Sequence, residues 1–236
     1  MGGYDLSGDI GSLSKISGSH TILDVTAIDK GAFERLLGLR SGDIDFMAYF
    51  NKATGQAHPV LAALPRTDVG SMFLISTTLG APTACMVSKQ LNYDGTRTNT
   101  GAFTFNTSTQ SNSYGLEWGN TLTAGTRTDT AATNGTSVDG GAATNFGLQA
   151  YLQTFSFTGT DATVKIQDSA DNVSFADLSG AAFTQTTTAP GTQRISISNA
   201  ATVRRYLRAV TVTSAGFTSM AFAVAFVRNP IAGQSF

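Results

Sequence analysis

An apolar side chain on every second position, repeated in stretch after stretch, is the feature that most limits what this chain can become. A strand sends successive side chains to opposite faces, so such a run buries one side of an extended segment and does not suit the 3.6-residue period of a helix. In residues 43–50, Ile44, Phe46, Ala48 and Phe50 fall on one face, and Asp43, Asp45, Met47 and Tyr49 on the other. The same alternation, rich in β-branched residues, recurs at 6–16, 21–25, 72–76, 85–93, 102–107, 116–122, 148–157, 163–167, 193–198, 206–212 and 220–227. Within 148–157, Tyr151, Phe155 and Phe157 share a face and read as core. Turn-forming pairs separate several runs: Asp94-Gly95, Asp161-Ala162, Asp171-Asn172 and Pro190-Gly191. The expected fold is all-β.

Only two places look helical. In residues 32–37, Phe33 is spaced from Leu36 and Leu37 as on a helix face, but Gly31 and Gly38 confine it to a turn or two. Residues 59–64 begin with Pro59, suited to a first helical position, and are stopped by Pro65, so one short helix is expected there. The 236 residues leave room for two compact units. Between 125 and 144 the sequence GTRTDTAATNGTSVDGGAAT offers almost nothing to a core. The expected organisation is therefore a β domain over 1–125, a polar linker over 126–144 and a second β-sandwich, jelly-roll or immunoglobulin-like, over 145–236. No fixed-period repeat is present, which disfavours a solenoid or propeller.

Charged residues make up 13% of the chain, against about a quarter in ordinary soluble domains. Its surface must be built largely from Thr, Ser, Asn and Gly. The net charge is −1, and neither half is a polycation of the kind that grips nucleic acid through its phosphates. Cys85 is the only cysteine, so no intrachain disulfide forms, and its expected role is that of a small buried hydrophobe. The first residues, MGGYDLSG, lack a basic start and an apolar stretch, and no apolar run approaches the roughly 20 residues that span a bilayer. Export and membrane insertion are not expected. Three Asn-X-Ser/Thr matches at Asn106, Asn134 and Asn172 are expected accidents of such a composition.

Chemistry has little to stand on. His20 and His58 have no partner at a metal-binding spacing, and the glycines form no dinucleotide fingerprint, phosphate loop or nucleophile elbow. The segment 168–172 clusters oxygen ligands but lacks the glycine and glutamate of a calcium loop, so a strand-to-strand turn is expected. Asp43 with Asp45, and Asp5 with Asp9, are the available carboxylate pairs, and a polar surface is expected of the first. Arg204, Arg205 and Arg208 form the one basic cluster, expected at a solvated edge or subunit contact. No catalysis, metal or cofactor is expected.

Several segments of the first 125 residues have a familiar order and spacing: LSGDI at 6–10, LDVT at 23–26, GLRSGDI at 38–44, LGAP at 79–82, KQLNYDGTR at 89–97 and GLEWG at 115–119. Together they resemble the major tail tube protein of long-tailed, siphovirus-type bacteriophages. Residues 146–228, with VKIQDSAD at 164–171 and RYLR at 205–208, resemble the β-sandwich that often follows in these proteins, and the first of those pieces also occurs in sugar-binding jelly rolls.

The resemblance implies a small β-sandwich with one flanking helix, six copies of which close into a ring whose inner sheets join edge to edge. Rings stack into a tube through which the genome is ejected. The segments 21–25, 43–50, 85–93 and 102–107 would line the lumen, with Asp43, Asp45, Met47 and Tyr49 facing it. The connection 26–42 would be a loop reaching the next ring through Ile28, Phe33, Leu36, Leu37 and Leu39; the alternative is that these fold back onto their own subunit. The implied partners are further copies of the chain, other tail proteins such as tape measure, terminator and distal tail components, and DNA in transient, non-specific passage, with no membrane. The implied location is the virion tail, after assembly in the host cytoplasm. A competing reading makes the C-terminal sandwich a module that binds host-surface glycan.

Overall fold

Sixteen strands and one short helix make up the regular structure of residues 1–231, which the computed structural model describes. In chain order they are β1 (Ile10–Asp24), β2 (Arg35–Tyr49), α1 (Ala57–Leu61), β3 (Val69–Leu74), β4 (Pro82–Gln90), β5 (Asp94–Arg97), β6 (Phe103–Ser111), β7 (Glu117–Thr121) and β8 (Arg127–Asp129). There follow β9 (Thr133–Asn134), β10 (Val138–Asp139), β11 (Leu148–Thr158), β12 (Ala162–Ser169), β13 (Ala176–Ala182), β14 (Gly191–Ser196), β15 (Tyr206–Thr213) and β16 (Ser219–Arg228). The chain is all-β, as the alternation requires, and strands pair antiparallel in both sheets.

The first compact unit takes Met1–Leu6, Val69–Cys85 and the described residues from Glu117 onward. In one of its sheets β16 lies between β11 on one side and β7 and β8 on the other, with β14 beyond β11. The second sheet runs β10-β15-β12-β13, with β9 also on β15. Alternate residues of the two sheets meet in the core: Leu148, Ala150 and Leu152 of β11 and Met220, Phe222, Val224 and Phe226 of β16 against Val164 and Ile166 of β12 and Leu207 and Ala209 of β15. Each large side chain buried there contributes roughly 1.5–3 kcal/mol, so this double layer is what holds the unit together.

The second unit takes Ser7–Asp68 and Met86–Leu116. Its strands run β1-β2-β6, and β6 is flanked further by β5 and by the end of β4. Ile44, Phe46 and Ala48 of β2 and Phe105 of β6 are buried, as are Ala57 and Leu61 of α1. Two polar contacts fix the helix. The buried Asp9 carboxylate accepts from the Ala57 amide at 2.8 Å and from Asn51 Nδ2 at 2.8 Å, satisfying one of the free donors at a helix start. Gln90 Nε2 donates to the Leu61 carbonyl at 2.7 Å. The expected helix over 59–64 is shifted toward the N-terminus: it opens at Ala57, holds Pro59 as its third residue, and ends at Leu61, before Pro65 can act as its stop.

The observed units do not follow the linear division 1–125, 126–144 and 145–236. Two early segments, 1–6 and 69–85, complete the unit built mainly from the later half, because the polar face of β11 needs partners. Gly3 N donates to Gln153 Oε1 at 2.8 Å, and Gln153 Nε2 donates to the Gly70 carbonyl at 2.9 Å. The polar stretch 126–144 is not a linker either: it supplies β8 to β16 and β9 and β10 to β15. Asp94-Gly95 is strand rather than turn. A Cβ on Gly95 would stand 2.6 Å from the Phe105 ring, so the glycine is there for close approach. Tyr151 and Phe157 do not share a face, because a bulge between Thr154 and Ser156 turns Phe157 onto the core while Tyr151 points away from it.

Candidate functional site

β1 and β2 form an antiparallel hairpin of fifteen residues a strand. At its base Ile16 stands opposite Ile44, and the Ile44, Phe46 and Ala48 side of β2 is buried. The cover ends at Leu116. Gly18 and Gly42 are Cα partners, and Leu116 presses on both: a Cβ on Gly42 would come within 2.4 Å of Leu116 Cβ. Arg40 Nη2 donates to the Leu116 carbonyl at 3.3 Å.

Beyond Arg40, among the described residues, the apolar side chains of both faces are exposed. Leu23 pairs with Leu36 and Ile22 with Leu37, and since successive residues alternate, the two pairs lie on opposite sides of the ribbon. Ile22, Leu23, Leu36 and Leu37 are 60%, 50%, 56% and 71% exposed, and Val25, Ile28, Phe33 and Leu39 are also exposed. Single exposed apolar residues are ordinary on a monomer, but eight within one hairpin end are not.

The end of the hairpin is nonetheless well ordered by its own bonds. The Asp24 carboxylate accepts from the Thr26 amide (3.0 Å) and hydroxyl (2.6 Å), which hold it below the usual carboxylate range. Thr26 Oγ1 accepts from the Glu34 amide at 2.8 Å, Val25 N donates to the Glu34 carbonyl at 2.9 Å, and Lys30 pairs with Glu34 at 3.3 Å. Arg35 lies over the Phe33 ring, 4.6 Å from its centroid. The segment 26–42 is thus a turn followed by strand, not a loop, and 32–37 is not helical. Cross-strand pairing of Arg35, Leu36 and Leu37 overrides the weak helical spacing of three side chains. Of the five apolar residues singled out there, Ile28 and Phe33 sit in the turn and Leu36, Leu37 and Leu39 on β2.

β1 has a second consequence. It pairs with β2 alone among the described strands, so its outer edge is unpaired over a strand of fifteen residues. Irregularities at Ile10/Ser12, Leu13/Lys15 and His20/Ile22 interrupt the β1–β2 register.

Asp43, Asp45, Met47 and Tyr49 do lie together on the less buried face of β2. Lys15 Nζ meets Asp43 Oδ2 at 2.8 Å, and this bond raises the Lys15 pKa. Across β6, Gln110 stands opposite both Asp43 and Lys89, and Lys89 Nζ pairs with Asp68 at 2.8 Å. The face is close to balanced in charge, whereas sequence reading showed only its two carboxylates.

The other sequence candidates are structural. Arg205 pairs with Asp139 through two bonds of 2.7 Å, Arg204 N donates to Asp168 at 2.9 Å, and Arg208 donates to Gln167. Asp171 closes the turn between β12 and β13 by accepting from the Val173 and Ser174 amides. His58 lies among Phe50, Tyr93 and Phe105, with its Nδ1 3.2 Å from the Tyr93 hydroxyl, and His20 Nδ1 is 3.4 Å from the Gly38 carbonyl.

One polar cluster had no sequence signal. On the side of β11 away from the sandwich core, the Glu117 carboxylate accepts from the Tyr151 hydroxyl and from Arg194 Nη2 at 2.9 Å, and Arg194 Nε is 3.2 Å from its other oxygen. Burial, reinforced by the Glu117 carboxylate, raises the Tyr151 pKa far above its usual value. Glu117 and Arg194 lie 77 positions apart in unrelated runs, so no spacing could reveal them. Their side chains are sealed from solvent, which gives a substrate no route to them. Among the described residues no cluster of three His, Cys, Asp or Glu side chains could hold a metal, and no helix is long and apolar enough to cross a membrane.

No protein-family model matches the chain, and no curated protein matches it significantly. Among solved structures it is similar to SPP1 Dit (gp 19.1), a hub adsorption apparatus protein of phages that infect Gram-positive bacteria. That match has 14% identity over 95% of this chain and 96% of that one, and a TM-score of 0.29. A likeness at that TM-score carries no argument about this chain.

Proposed function

We propose that the chain is a structural virion protein that assembles into stacked hexameric rings forming a phage tail tube, a conduit for genome delivery. The observation that carries this reading is the β1–β2 hairpin, which leaves apolar side chains open on both faces and a long strand edge unpaired. A free monomer is penalised for both features, and association with further copies removes both penalties. In the proposed assembly the edge of β1 pairs within a ring, and the hairpin end reaches the next ring through Ile28, Phe33, Leu36, Leu37 and Leu39. The face of Asp43, Asp45, Met47 and Tyr49 lines the channel. Its balanced charge suits passage of DNA, since repeated unpaired cations would sum into salt-sensitive retention. The work is mechanical: the protein makes no bond, needs no cofactor, and acts in the virion tail beside tape measure, terminator and distal tail components after assembly in the host cytoplasm.

Electron microscopy and sedimentation of the purified chain test the reading: rings or tubes are expected, and a monodisperse monomer at high concentration would overturn it. Phe33→Ser with Leu37→Ser is expected to keep the monomer folded by circular dichroism and to abolish tube growth. A second reading, glycan binding by the first unit, draws on the outer face of its second sheet. There Arg208 lies 4.0 Å over the Phe175 ring, and Gln167 and Lys165 both bond Asp177. Those groups are largely committed to one another, which ranks this reading below assembly. Retention of monomers on a glycan array would reverse the order.

A further inference from the structure

We infer that the end of the hairpin is held from both sides, each face by a different second copy of this chain, so that one arm contacts two neighbours. This rests on the assembly reading above and adds to it a geometry and a stoichiometry. Register decides it. Leu23 with Leu36 and Ile22 with Leu37 are cross-strand pairs on opposite faces, and the two faces are comparably exposed, at 50–56% and 60–71%. A ribbon one strand-layer thick presents its faces in opposite directions, so a single flat partner covers one pair and leaves the other in water.

The arrangement of the surface points the same way. The exposed apolar side chains are divided between the two faces and the turn, so contact on one face leaves those of the other in water. A contact on the second face then forms at the high effective concentration created by the first.

The charges favour copies of this chain over other occupants. Residues 20–40 interleave three acids, Asp24, Asp29 and Glu34, with three bases, Lys30, Arg35 and Arg40. This neutral mixture gives a nucleic acid no cationic stripe. It also requires carboxylates to be stripped of water if the arm enters a bilayer. A copy of the same chain, itself near neutral, carries its own exposed apolar residues for the arm to meet, among them Phe50, Leu91 and Phe103.

The test compares two double variants with the wild type, Ile22→Ser with Leu37→Ser and Leu23→Ser with Leu36→Ser, by sedimentation and far-UV circular dichroism. Each is expected to lose tube growth at least tenfold while keeping the monomer spectrum; Ala versions of the same pairs serve if a Ser variant misfolds. A benzophenone label on Leu36→Cys or on Leu37→Cys is then photocrosslinked in assembled wild-type-like tubes and mapped by mass spectrometry. Different partner peptides from the two positions are expected. The same peptides from both, or loss of growth in only one double variant, would overturn the two-sided arm while leaving assembly intact. Normal growth of both variants would remove the arm from assembly altogether, and a wild-type chain that stays monomeric would remove the reading beneath it. Co-flotation of the wild type with phosphatidylcholine and phosphatidylglycerol vesicles, lost in both variants, would assign the faces to lipid instead.

Discussion

Strand β11 and the far end of the β1–β2 hairpin carry the same kind of alternating sequence, yet β11 is buried on both faces and the hairpin end on neither. In β11, Leu148, Ala150 and Leu152 meet the sandwich core, and Gln149, Tyr151 and Gln153 are equally hidden on the other side. In the hairpin, Ile22, Leu23, Leu36 and Leu37 are at least half exposed. Alternation determines which side chains share a face; whether that face is covered depends on what the rest of the chain brings to it. β11 receives residues 1–6 and 69–74, whose Gly3 and Gly70 bond Gln153. Among the described residues the hairpin is covered by Leu116 at Gly18 and Gly42, and this cover goes no further toward the tip than Arg40.

Unsealing β11 is expected to have the largest effect. Removing Arg194 leaves the Glu117 carboxylate buried without its partner, a change that costs about 3–5 kcal/mol. Arg194→Ala is expected to lose that much in urea denaturation; a loss under about 1 kcal/mol would mean that water reaches the cluster. Cys85 gives an independent readout, because burial pushes its thiol up to about 12. At pH 8 a disulfide reagent should label it only when the unit opens, and faster in Arg194→Ala than in the wild type.

Next in size is the point where cover stops. A side chain at Gly42 must displace Leu116 backbone and side chain, so Gly42→Val is expected to cost about 1–3 kcal/mol. Beyond it the expectation reverses. Leu36→Ser or Leu39→Ser removes no monomer contact with a core and should change monomer stability by no more than about 0.5 kcal/mol. A larger loss at Leu36 would show that the hairpin end is covered in solution by its own chain.

The same contrast marks what was legible in the sequence. Period-two alternation gave the all-β fold and the Ile44, Phe46 and Ala48 face, and Pro59 and Pro65 pointed to the region of the helix but not to its ends, Ala57 and Leu61. Alternation over 43–49 also put Asp43, Asp45, Met47 and Tyr49 on one side. Pairing across long separations was not legible. Nothing local says that 1–6 and 69–85 complete a unit built from the second half, that Lys15 neutralises Asp43, or that Glu117 meets Arg194. The residues of the hairpin end were found as apolar side chains in search of a cover. Their strand geometry was hidden, because Gly31, Gly38 and a helical spacing at Phe33 disguised the pairing with Ile22 and Leu23.

The smallest expected effect tests whether the stretch 126–144, which looked like a linker, is tied down. β10 is only two residues long, and Asp139 on it bonds Arg205 twice at 2.7 Å beside its pairing with Tyr206. The Arg205 guanidinium, with help from the Gly141 amide, lowers the Asp139 pKa to about 2, against about 3.9 for an unfolded aspartate. A pKa depressed on folding means that the bond's stabilisation is fully present above about pH 4 and is lost as pH falls through about 2. The pair is exposed, so its contribution is small and salt-sensitive. Urea titrations of the wild type and Asp139→Asn at low salt, from pH 6 to pH 2.5, should show a constant small deficit in the variant down to about pH 4 that narrows below it. A deficit independent of pH would mean that β10 is held by its backbone pairing alone, and that the ion pair is a consequence of the fold and not one of its ties.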